Sequence, residues 1–484
     1  IIFLRYMNRK TFLLKIASAG AIATFSPTSL SGAENKSVVA GFNLSKKIFE
    51  VGKEYDVSIN FPSNLKDKVA KGFLTVVGDD GASEIDGTLF NRAFGTPLNF
   101  KLEQNRIVFK VKFGREQCYC FRIFEKKIPK DTPSHLYPKT LAVLHAYALN
   151  ADMLSLIPLR GDFHIHSTRS DGKDTPENVA LRNYECGFDF QSLSDHGRYQ
   201  PSVDMKNLFE PFDTSMAFYC AEECHRAHPH IHNIGATESV TKYIDSHIPQ
   251  FYRRVDVIMK DISDKEFTFR ERKDIAKIQA ECEIIRKLGG LAVFNHPYWS
   301  RGSVGSFYYN QMPKKLWDEV CKRKIFDVYE LINYGCAEMS ISRALINYAE
   351  LRAQGIKYPV IGTSDGHDVR DQGQGYSIVF ASSNSIADIK DAIMNHRSIA
   401  VVEYACTNAT EKGRIAPLAY GDDRYVRFAY FLFDYYFPEH SKLIQAQGKI
   451  LREIVMNKKD TKENRAKLKK YSELAKNSYK NLIA

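Results

Sequence analysis

The chain has 484 residues, which is too long for one ordinary compact domain, so we expect two or three domains. Hydrophobic residues make up 44% of the chain and are spread along it, and no apolar run after the first few dozen positions is long enough to argue for a polytopic membrane protein. Much of the formal net charge of +11 lies in the two terminal segments, which removes a whole-protein case for nucleic-acid binding.

The N-terminus has the order of a secretory signal peptide. Basic residues at positions 9 and 10 precede an apolar run over 12–25, and small residues follow up to Ala33. We therefore expect residues 1–33 to be a signal peptide cleaved after Ala33, and the mature chain to be exported to a periplasm or to the cell exterior. The alternative is a buried N-terminal helix.

Residues 35–150 are predicted to form an antiparallel β domain. Short β-like runs such as 55–59 and 106–111 are separated by Gly, Asp and Asn turns. No catalytic constellation occurs here, so packing, substrate access and partner contact remain open roles. Cys118 and Cys120 alternate on one strand and face one side, and the nine cysteines are irregularly spaced, which favours buried free thiols over a disulfide framework.

From Leu159 the pattern changes to an alternation of strands and helices that is typical of a parallel sheet or barrel. In one unit Thr175 caps a helix that starts at Pro176 and ends at Gly187, and a strand follows. Similar units precede the motifs near positions 295 and 365. Polar residues thus follow the strands, at the end where barrel active sites are built.

The alternation stops near Ala405, and residues 420–484 are predicted to form a small helical C-terminal extension. The aromatic residues bunched at 428–436 are expected in a core and not in a ligand site. Residues 458–480 contain nine basic and three acidic side chains, which is typical of a solvated helix face. A weaker alternative is a scaffold whose basic helix meets acidic partners.

The candidate chemistry begins at His164 and His166, which alternate at the end of a strand, so both imidazoles face one side and can bind one ion. Asp171 follows in a tight Ser-Asp-Gly turn. The run Ser194-Asp195-His196 is not a serine-hydrolase triad, because consecutive strand residues cannot bring nucleophile and base together. Further metal-binding residue types follow later strands: His196, Glu223, His232, His296, Asp365 and His367.

These motifs resemble, in the same order, those of the polymerase-and-histidinol-phosphatase (PHP) superfamily of metallohydrolases. The resemblance covers about residues 160–405 and implies that residues 159–405 form a distorted (β/α)7-type barrel. The β domain before the barrel and the segments 160–164 and 187–190 are similar to the carbaryl-hydrolase-like (CehA/McbA) branch.

The resemblance also implies a ligand set. Two histidines, His164 and His166, would hold one metal ion together with Glu223 and Asp365. Glu223 would bridge to a second ion, whose other implied ligands are His232 and His296. The implied ligands of a third ion are Asp171, His196 and His367. The implied catalytic residues are Glu223, Asp365 and His367.

Two of these ligand assignments remain undecided. Glu222 is adjacent to Glu223 and competes with it as the ligand, and His230, two positions before His232, competes with His232. His225, His228 and His230 crowd the same stretch and could support the ligands, form an additional metal site or belong to a polar loop. Glu330 ends a strand and has either a positioning or a structural role. Arg198 and Arg301 follow ligand positions and are predicted to bind a phosphate or carboxylate of the substrate.

Mixed imidazole and carboxylate donors favour Zn²⁺, Mn²⁺ or Fe over Mg²⁺ or Ca²⁺, and the lack of cysteine ligands argues against a structural zinc site. A water between two such ions loses a proton near neutral pH and becomes a nucleophile, while the ions stabilise negative charge on the substrate. We therefore predict an exported hydrolase with two or three divalent ions.

The predicted substrate is a small molecule, with a phosphate ester as the first choice. The alternatives are a carbamate or carboxylic ester hydrolase on the same site, and a non-catalytic metal- or ligand-binding protein. Neither a nucleic-acid partner nor a membrane span after signal removal is expected, and the sequence does not indicate an oligomeric state.

Overall fold

The computed structural model describes residues 41–79, 95–129, 136–227, 229–299, 312–336, 338–405 and 415–483. They belong to two compact units. The sandwich unit comprises residues 41–156, 427–438 and 477–483, and the barrel unit comprises residues 157–426 and 439–476. The predicted signal peptide at 1–33 and the predicted substrate residue Arg301 lie outside the described residues, so both stay predictions.

The sandwich unit begins with nine strands and two short helices. Their bounds are β1 Asn43–Leu44, β2 Ile48–Glu50, β3 Glu54–Asn60, α1 Lys66–Ala70, β4 Phe73–Gly78, β5 Thr96–Leu98, β6 Lys101–Glu103, β7 Arg106–Lys112, β8 Gln117–Phe124, β9 Thr140–Leu149 and α2 Ala151–Leu154.

Two sheets share one hydrophobic core in this unit. One has the order β1-β3-β7-β6 and the other β2-β9-β8-β4-β5. In β7 the side chains of Ile107, Phe109 and Val111 are buried while their neighbours face outward, as expected for strands covered on one face. The pairs are antiparallel except for β2 with β9, which is parallel and was not predicted, because pairing between distant strands leaves no local signal.

The barrel unit continues with ten strands and eight helices. Their bounds are β10 Ile157–Asp162, α3 Pro176–Cys186, β11 Phe190–Leu193, α4 Gln200–Phe209, β12 Ala217–Cys224, β13 Ile231–Ile234, α5 Val240–Ser246, α6 Ile248–Lys260, α7 Phe269–Lys287, β14 Leu291–Phe294, α8 Lys314–Lys322, β15 Val328–Asn333, α9 Glu338–Ala353, β16 Val360–Thr363, β17 Gly375–Ala381, α10 Ile386–Met394, β18 Ser398–Ala405 and β19 Ile415–Tyr420.

Seven strands, β10 to β16, lie side by side in chain order, and β17, β18 and β19 extend the sheet beyond β10. The prediction of consecutive parallel strands is wrong at β13, which runs antiparallel to both β12 and β14. The loop 225–230 between β12 and β13 is too short for the crossover that a parallel neighbour requires, so these strands form a hairpin. β17 is also antiparallel to β10.

The curled sheet returns to itself between β16 and β17 through side chains. The Ser377 hydroxyl donates to the carbonyl oxygen of Gly362 at 2.8 Å and accepts from its amide at 3.0 Å. A Cβ on Gly362 would lie 2.4 Å from the Tyr376 carbonyl oxygen, so only glycine allows this approach. Ser398 similarly donates to the carbonyl oxygen of Val360 at 2.7 Å.

The helices close the other surfaces of the barrel unit. A hydrophobic cluster joins strand residues such as Leu291 and Val328 to Ile389 and Ile393 of α10. Because Leu291 and Val328 begin their strands, α10 covers the amino ends of the parallel strands. The opposite ends are left for the polar residues described below.

The first helix of this unit shows how closely local signals set its ends. The Thr175 hydroxyl accepts a hydrogen bond from the amide of Asn178, Pro176 is the first helical residue, and Gly187 ends the helix with a φ of 75°. These bounds agree with the prediction. The following strand begins at Phe190, two residues later than predicted.

Three further helices follow β19. They are α11 Asp423–Tyr435, α12 Phe437–Val455 and α13 Lys462–Ile483. Their residues are divided between the two units, whereas the sequence predicted one extension. Phe428 and Phe431 are buried against Tyr147, as predicted for core aromatic residues.

Exposed ion pairs engage several basic side chains of α13, among them Lys467 with Glu463, which agrees with a solvated face. The eight cysteines among the described residues are free thiols. Within the same residues, no helix has the length and apolar character needed to cross a membrane.

Candidate metal centre

Histidine and carboxylate side chains gather where the parallel strands end. His164 and His166 follow β10, His196 follows β11, Glu223 is near the end of β12, and His296 follows β14. Asp365 and His367 follow β16. His230 precedes the reversed strand β13, so the hairpin brings it to the same end. This convergence follows from the topology, because strands that leave a barrel at one end present their last residues together.

The inner cluster consists of three buried side chains, those of His164, His166 and Asp365. The Nε2 atoms of the two histidines are 3.1 Å apart. Oδ1 of Asp365 lies 3.3 Å from the first and 3.2 Å from the second. Three donor atoms therefore face one another in a space closed to solvent.

Glu223 lies between the inner cluster and His296. Its Oε1 is 3.6 Å from Nε2 of both His164 and His296, and its Oε2 is 3.6 Å from Nε2 of His166. His164, Glu223 and His296 form a second possible metal-binding group. One carboxylate thus reaches two groups of imidazoles, which is the arrangement that a bridging ligand requires.

The outer cluster combines His166, Asp171, His196 and His367. Oδ1 of Asp171 is 3.3 Å from Nε2 of His367, and its Oδ2 is 3.3 Å from Nε2 of His196. The Asp171 side chain is 55% exposed and that of His367 is 37% exposed. This cluster is therefore the part of the centre that faces solvent.

A fourth group, the rim cluster, contains His196, Glu223, His225 and His230. Nδ1 of His230 is 3.0 Å from Oε1 of Glu223, and Nε2 of His225 is 2.5 Å from Nδ1 of His196. His225 and His230 were among the undecided histidines of the sequence analysis. Their positions on either side of a hairpin could not be recognised while β13 was taken as a parallel strand.

His232 belongs to none of the four clusters found among the described residues, so its role as a ligand stays a prediction. It pairs with Glu223 across the β12–β13 ladder, so it faces the barrel interior one alternation deeper than His230. Its ring is 5.2 Å from that of His164, and it is buried. Eight of the nine predicted ligands thus belong to these clusters, and both ring nitrogens of His232 lack a hydrogen-bond partner among the described residues.

The competing carboxylates on β12 are separated by strand alternation. Glu223 points to the histidines, whereas Glu222 faces away and accepts hydrogen bonds from the Ser239 hydroxyl and the Val240 amide at the start of α5. Glu222 therefore anchors a helix, and the choice of Glu223 agrees with the structure.

Glu330 has the positioning role that the sequence left open. Its Oε1 accepts a hydrogen bond from Nδ1 of His164 at 2.7 Å and another from the Thr363 hydroxyl. Its Oε2 accepts from the amide of His296 at 2.6 Å and from the side chain of Asn333. With Nδ1 as donor, His164 directs the lone pair of Nε2 into the inner cluster, as metal-binding histidines commonly do.

Two other buried carboxylates hold the motif loops. Asp162 accepts from the amides of His164 and Ser364, and thereby joins the end of β10 to the end of β16. Asp195 accepts from the Ser167 amide and hydroxyl and from the Ser170 hydroxyl, which shapes the loop between His166 and Asp171. Sequence reasoning gave neither residue a role, although both lie within the quoted motifs.

The buried histidines and carboxylates of the centre stabilise one another's charged forms. Burial opposes ionisation of Glu223 and Asp365, but the histidines, His164 foremost, outweigh it and hold the pKa of both carboxyls below the usual range. Burial also opposes protonation of His164, yet the carboxylates of Asp365, Glu330 and Glu223 raise its pKa well above the usual value. Such a set of ionised carboxylates favours a cation among them.

The outlying histidines behave differently. Burial lowers the pKa of His225 to about 4, and the neighbouring His230 and His196 contribute to the shift. Burial lowers the pKa of His232 well below its usual value. Both rings are therefore neutral at pH 7, and each has a nitrogen lone pair available as a ligand.

The donor set fits divalent metal ions. Buried Nδ1 of His166 and both ring nitrogens of His232 lack hydrogen-bond partners among the described residues. Buried polar atoms are rarely left unsatisfied in folded proteins, so an ion or water is needed here. Imidazole with carboxylate suits Zn²⁺, Mn²⁺ or Fe better than the all-oxygen sites of Ca²⁺ and Mg²⁺.

Arg198 is an exposed residue two positions after His196. Its guanidinium forms no hydrogen bond or ion pair within the described part of the chain, while its amide donates to the Asp195 carbonyl oxygen. The structure thus leaves a free cationic side chain on the loop that follows a metal-binding residue type.

Comparison with known proteins gives no family. No protein-family model matches the chain, and no curated protein matches it. Several solved structures are similar to part of the chain. One is a two-domain protein from Bacteroides vulgatus containing a predicted PHP-like metal-dependent phosphoesterase, with 17% identity and a TM-score of 0.35 over 52% of this chain and 73% of that chain.

A second is a candidate metal-dependent phosphoesterase from Bifidobacterium adolescentis, with 14% identity and a TM-score of 0.30. A third is an amidohydrolase from Chromobacterium violaceum with bound sulfate and no metal, with 14% identity and a TM-score of 0.28. Each covers 43% of this chain and 87% of its own. None of the three is described as a carbaryl-hydrolase-like protein, so that branch stays a prediction. The case for a function depends on the geometry of the centre.

Proposed function

We propose that this chain is a metal-dependent hydrolase that cleaves phosphate esters of a small-molecule substrate. The observation that carries the proposal is the position of Glu223, whose two carboxylate oxygens face imidazoles of separate groups at 3.6 Å. Neighbouring groups that share one carboxylate are suited to hold two or three ions close together.

The proposed ligands are those of the inner cluster, the second group and the outer cluster. His164, His166 and Asp365 would hold one ion with Glu223; His296 would join Glu223 at another, with His232 as the further predicted ligand; Asp171, His196 and His367 would hold a third. Divalent ions in these positions would lower the pKa of water and offset negative charge on the substrate's oxygens.

The protein's own side chains supply orientation and charge. Glu330 fixes the tautomer of His164, and Asp162 and Asp195 hold the loops that carry the other donors. Nδ1 of His367 lies 2.9 Å from the carbonyl oxygen of Asp365, and a proton held there leaves the Nε2 lone pair turned to Asp171. His367 is thus placed on the exposed side, where a ligand atom or a proton acceptor meets the substrate.

The substrate class follows from the charge at the opening. A phosphoryl group carries negative charge on several oxygens and gains more from clustered cations than a neutral ester does. Arg198 is an exposed, unpaired guanidinium among the described residues, and we assign it to the substrate's phosphate.

The test is metal content by mass spectrometry, with hydrolysis assays on the same protein. Wild type and a His164→Ala/Asp365→Ala variant are compared on a generic phosphomonoester, a phosphodiester and a carboxylic ester. The control is His247→Gln/Asp204→Asn, which changes a histidine and an aspartate that belong to none of the clusters.

We expect two or three transition-metal ions per wild-type chain, and hydrolysis of one phosphate ester. The double variant should lose ions and about a thousandfold or more of the rate, since an ion contributes several kcal/mol to the transition state. The control should keep both properties. A metal-free, inactive wild type after metal supplementation would overturn the proposal, and turnover of the carboxylic ester alone would reassign the substrate.

A further inference from the structure

The hairpin loop 225–230 places two histidine rings together at the mouth of the centre. The rings of His225 and His230 are stacked, with centroids 4.1 Å apart and planes inclined by 20°. The loop joins β12 to the reversed strand β13, so its two ends are held side by side by the ladder. Two imidazoles therefore face the centre from one loop.

Two side chains from other elements complete the group. Nδ1 of His196 lies 2.5 Å from Nε2 of His225 and 2.5 Å from Oε2 of Glu223. Nδ1 of His230 lies 3.0 Å from Oε1 of Glu223. The four donor atoms, one from each residue, all lie within 4.8 Å of one another. Ligands of a zinc ion at its usual bond lengths lie about 3.3 Å apart, so small side-chain rotations would seat an ion.

Exposure separates this group from the deeper ones. The side chain of Glu223 is fully buried, those of His196 and His230 are 20% and 25% exposed, and His225 is exposed. His196 also presents different ring atoms to different neighbours, with Nε2 toward Asp171 and Nδ1 toward the loop. The rim group can thus be reached from solvent without passing the inner cluster.

The loop itself is anchored from below. Glu281 of α7 is buried, and its carboxylate accepts from the amide of Ala227 at 2.7 Å and from that of Arg226 at 3.3 Å. The guanidinium of Arg226 is paired with Asp245. The backbone at Arg226 and Ala227, directly after His225, is therefore anchored, and the positive charge of Arg226 is balanced by a partner outside the rim group. A preorganised pair of imidazoles binds an ion at lower entropic cost than a mobile loop does.

We propose that His225, His230, His196 and Glu223 form an additional rim site for a divalent cation that prefers imidazole, such as Zn²⁺. The site goes beyond the proposed function, because His225 is no part of the proposed hydrolytic centre. An ion here is open to solvent and shares Glu223 and His196 with deeper groups, so it binds more weakly than the inner ions and exchanges more readily.

The experiment is equilibrium dialysis of the full-length protein against a series of Zn²⁺ concentrations, with bound zinc counted by mass spectrometry. Four proteins are compared: wild type, His225→Ala, His247→Ala as a control histidine outside the clusters, and His164→Ala/Asp365→Ala. We expect wild type and the control to bind one more ion, in a weaker phase, than His225→Ala does. The double variant should keep the weak phase and lose a tight one.

Cu²⁺ electron paramagnetic resonance gives a second readout that does not depend on activity. With Cu²⁺ added to the double variant beyond the amount that fills its tight phase, the added signal should show nitrogen coupling that weakens in a further His225→Ala variant. Identical zinc isotherms for wild type and His225→Ala would overturn the rim site and leave the inner centre intact. If wild type instead lacked the tight phases but kept a weak phase that His225→Ala removes, the hydrolase proposal would be overturned and the rim site would stand. The two proposals therefore fail separately.

Discussion

The two units of this protein are stabilised by different interactions. In the described part of the sandwich unit, the buried polar residues are three and none is charged: Thr75, Thr96 and Gln117. Among the described residues of the barrel unit, eight carboxylates are buried: Asp162, Asp189, Asp195, Glu222, Glu223, Glu281, Glu330 and Asp365. Burying a charge costs several kcal/mol unless hydrogen bonds or opposite charges compensate it.

In the barrel unit, several of the buried carboxylates hold backbone segments in place. Glu222 anchors α5, Glu281 anchors the hairpin loop, and Asp162 and Asp195 hold the motif loops. Each accepts backbone amide hydrogen bonds, so the folded state contains the compensation that burial requires. Among the described residues of the sandwich unit, no buried carboxylate plays a comparable role.

The largest expected effect is in the sandwich core. Phe121 is fully buried there, with its ring 5.5 Å from that of Phe109. Phe121→Ala should lower the free energy of unfolding by about 3–5 kcal/mol through lost packing and a cavity. Metal content per folded chain should stay unchanged. Urea denaturation followed by circular dichroism, with metal analysis, checks both, and Leu136→Ala, at a 62% exposed leucine, is the control. A parallel loss of metal would contradict the separation of roles.

Buried charge in the barrel unit should appear as a pH dependence of stability. Burial raises the pKa of Glu281 from its usual value to about 7. The folded state then binds a proton that the unfolded state has released, so this contribution is present below about pH 4.5 and is lost as pH rises through 7.

For Glu281→Gln we expect a flatter profile, with the difference between variant and wild type changing by up to about 3 kcal/mol between pH 4.5 and 8. Urea midpoints measured across this range provide the test, and Glu210→Gln, at an exposed carboxylate of the same unit, is the control. Parallel profiles for wild type and Glu281→Gln would show that Glu281 does not titrate as its burial implies.

Substitution of Glu330 should have a smaller effect, on the affinity for metal ions. Glu330→Gln keeps the size of the side chain but weakens its hold on Nδ1 of His164. Loss of such a supporting carboxylate typically costs 10–100-fold in metal affinity, so we expect zinc competition with a chelator to show a loss of about that size. Unaltered affinity would mean that packing alone orients His164.

The smallest effect is expected on the basic helix α13. Lys476 pairs with Asp213 at 2.9 Å, but the two side chains are 45% and 84% exposed. Exposed ion pairs contribute about 0–1 kcal/mol, so Lys476→Ala should leave the unfolding midpoint nearly unchanged and insensitive to salt. A large, salt-dependent loss would show that the charge of this helix is structural and not merely solvated.

The sequence predicted correctly those features that a few neighbouring residues determine, such as the ends of a helix. Thr175, Pro176 and Gly187 bound a helix as expected, because capping and the left-handed φ depend on a few neighbouring residues. The convergence of His164, His166 and Asp365 was also foreseeable, since polar residues after parallel strands meet at one end of a barrel.

Long-range pairing could not be predicted in the same way. The direction of β13, the parallel pair of β2 with β9 and the Ser377 bridge to Gly362 depend on partners distant in sequence. The place of His230 in a cluster has a related cause, because it depends on the hairpin that brings the end of the loop before β13 next to the end of β12.

The bonds from Asp162 to Ser364 and His164 also bear on the order of events during synthesis. Asp162 and Ser364 are 202 positions apart in the chain, and a ribosome adding 5–20 residues per second needs about 10–40 s to pass from one to the other. His164 and His166 therefore emerge long before Asp365 exists. The inner cluster is complete only after β16 and Asp365 have been made, so any ion held there would come from the metal supply of the compartment in which the chain finishes folding.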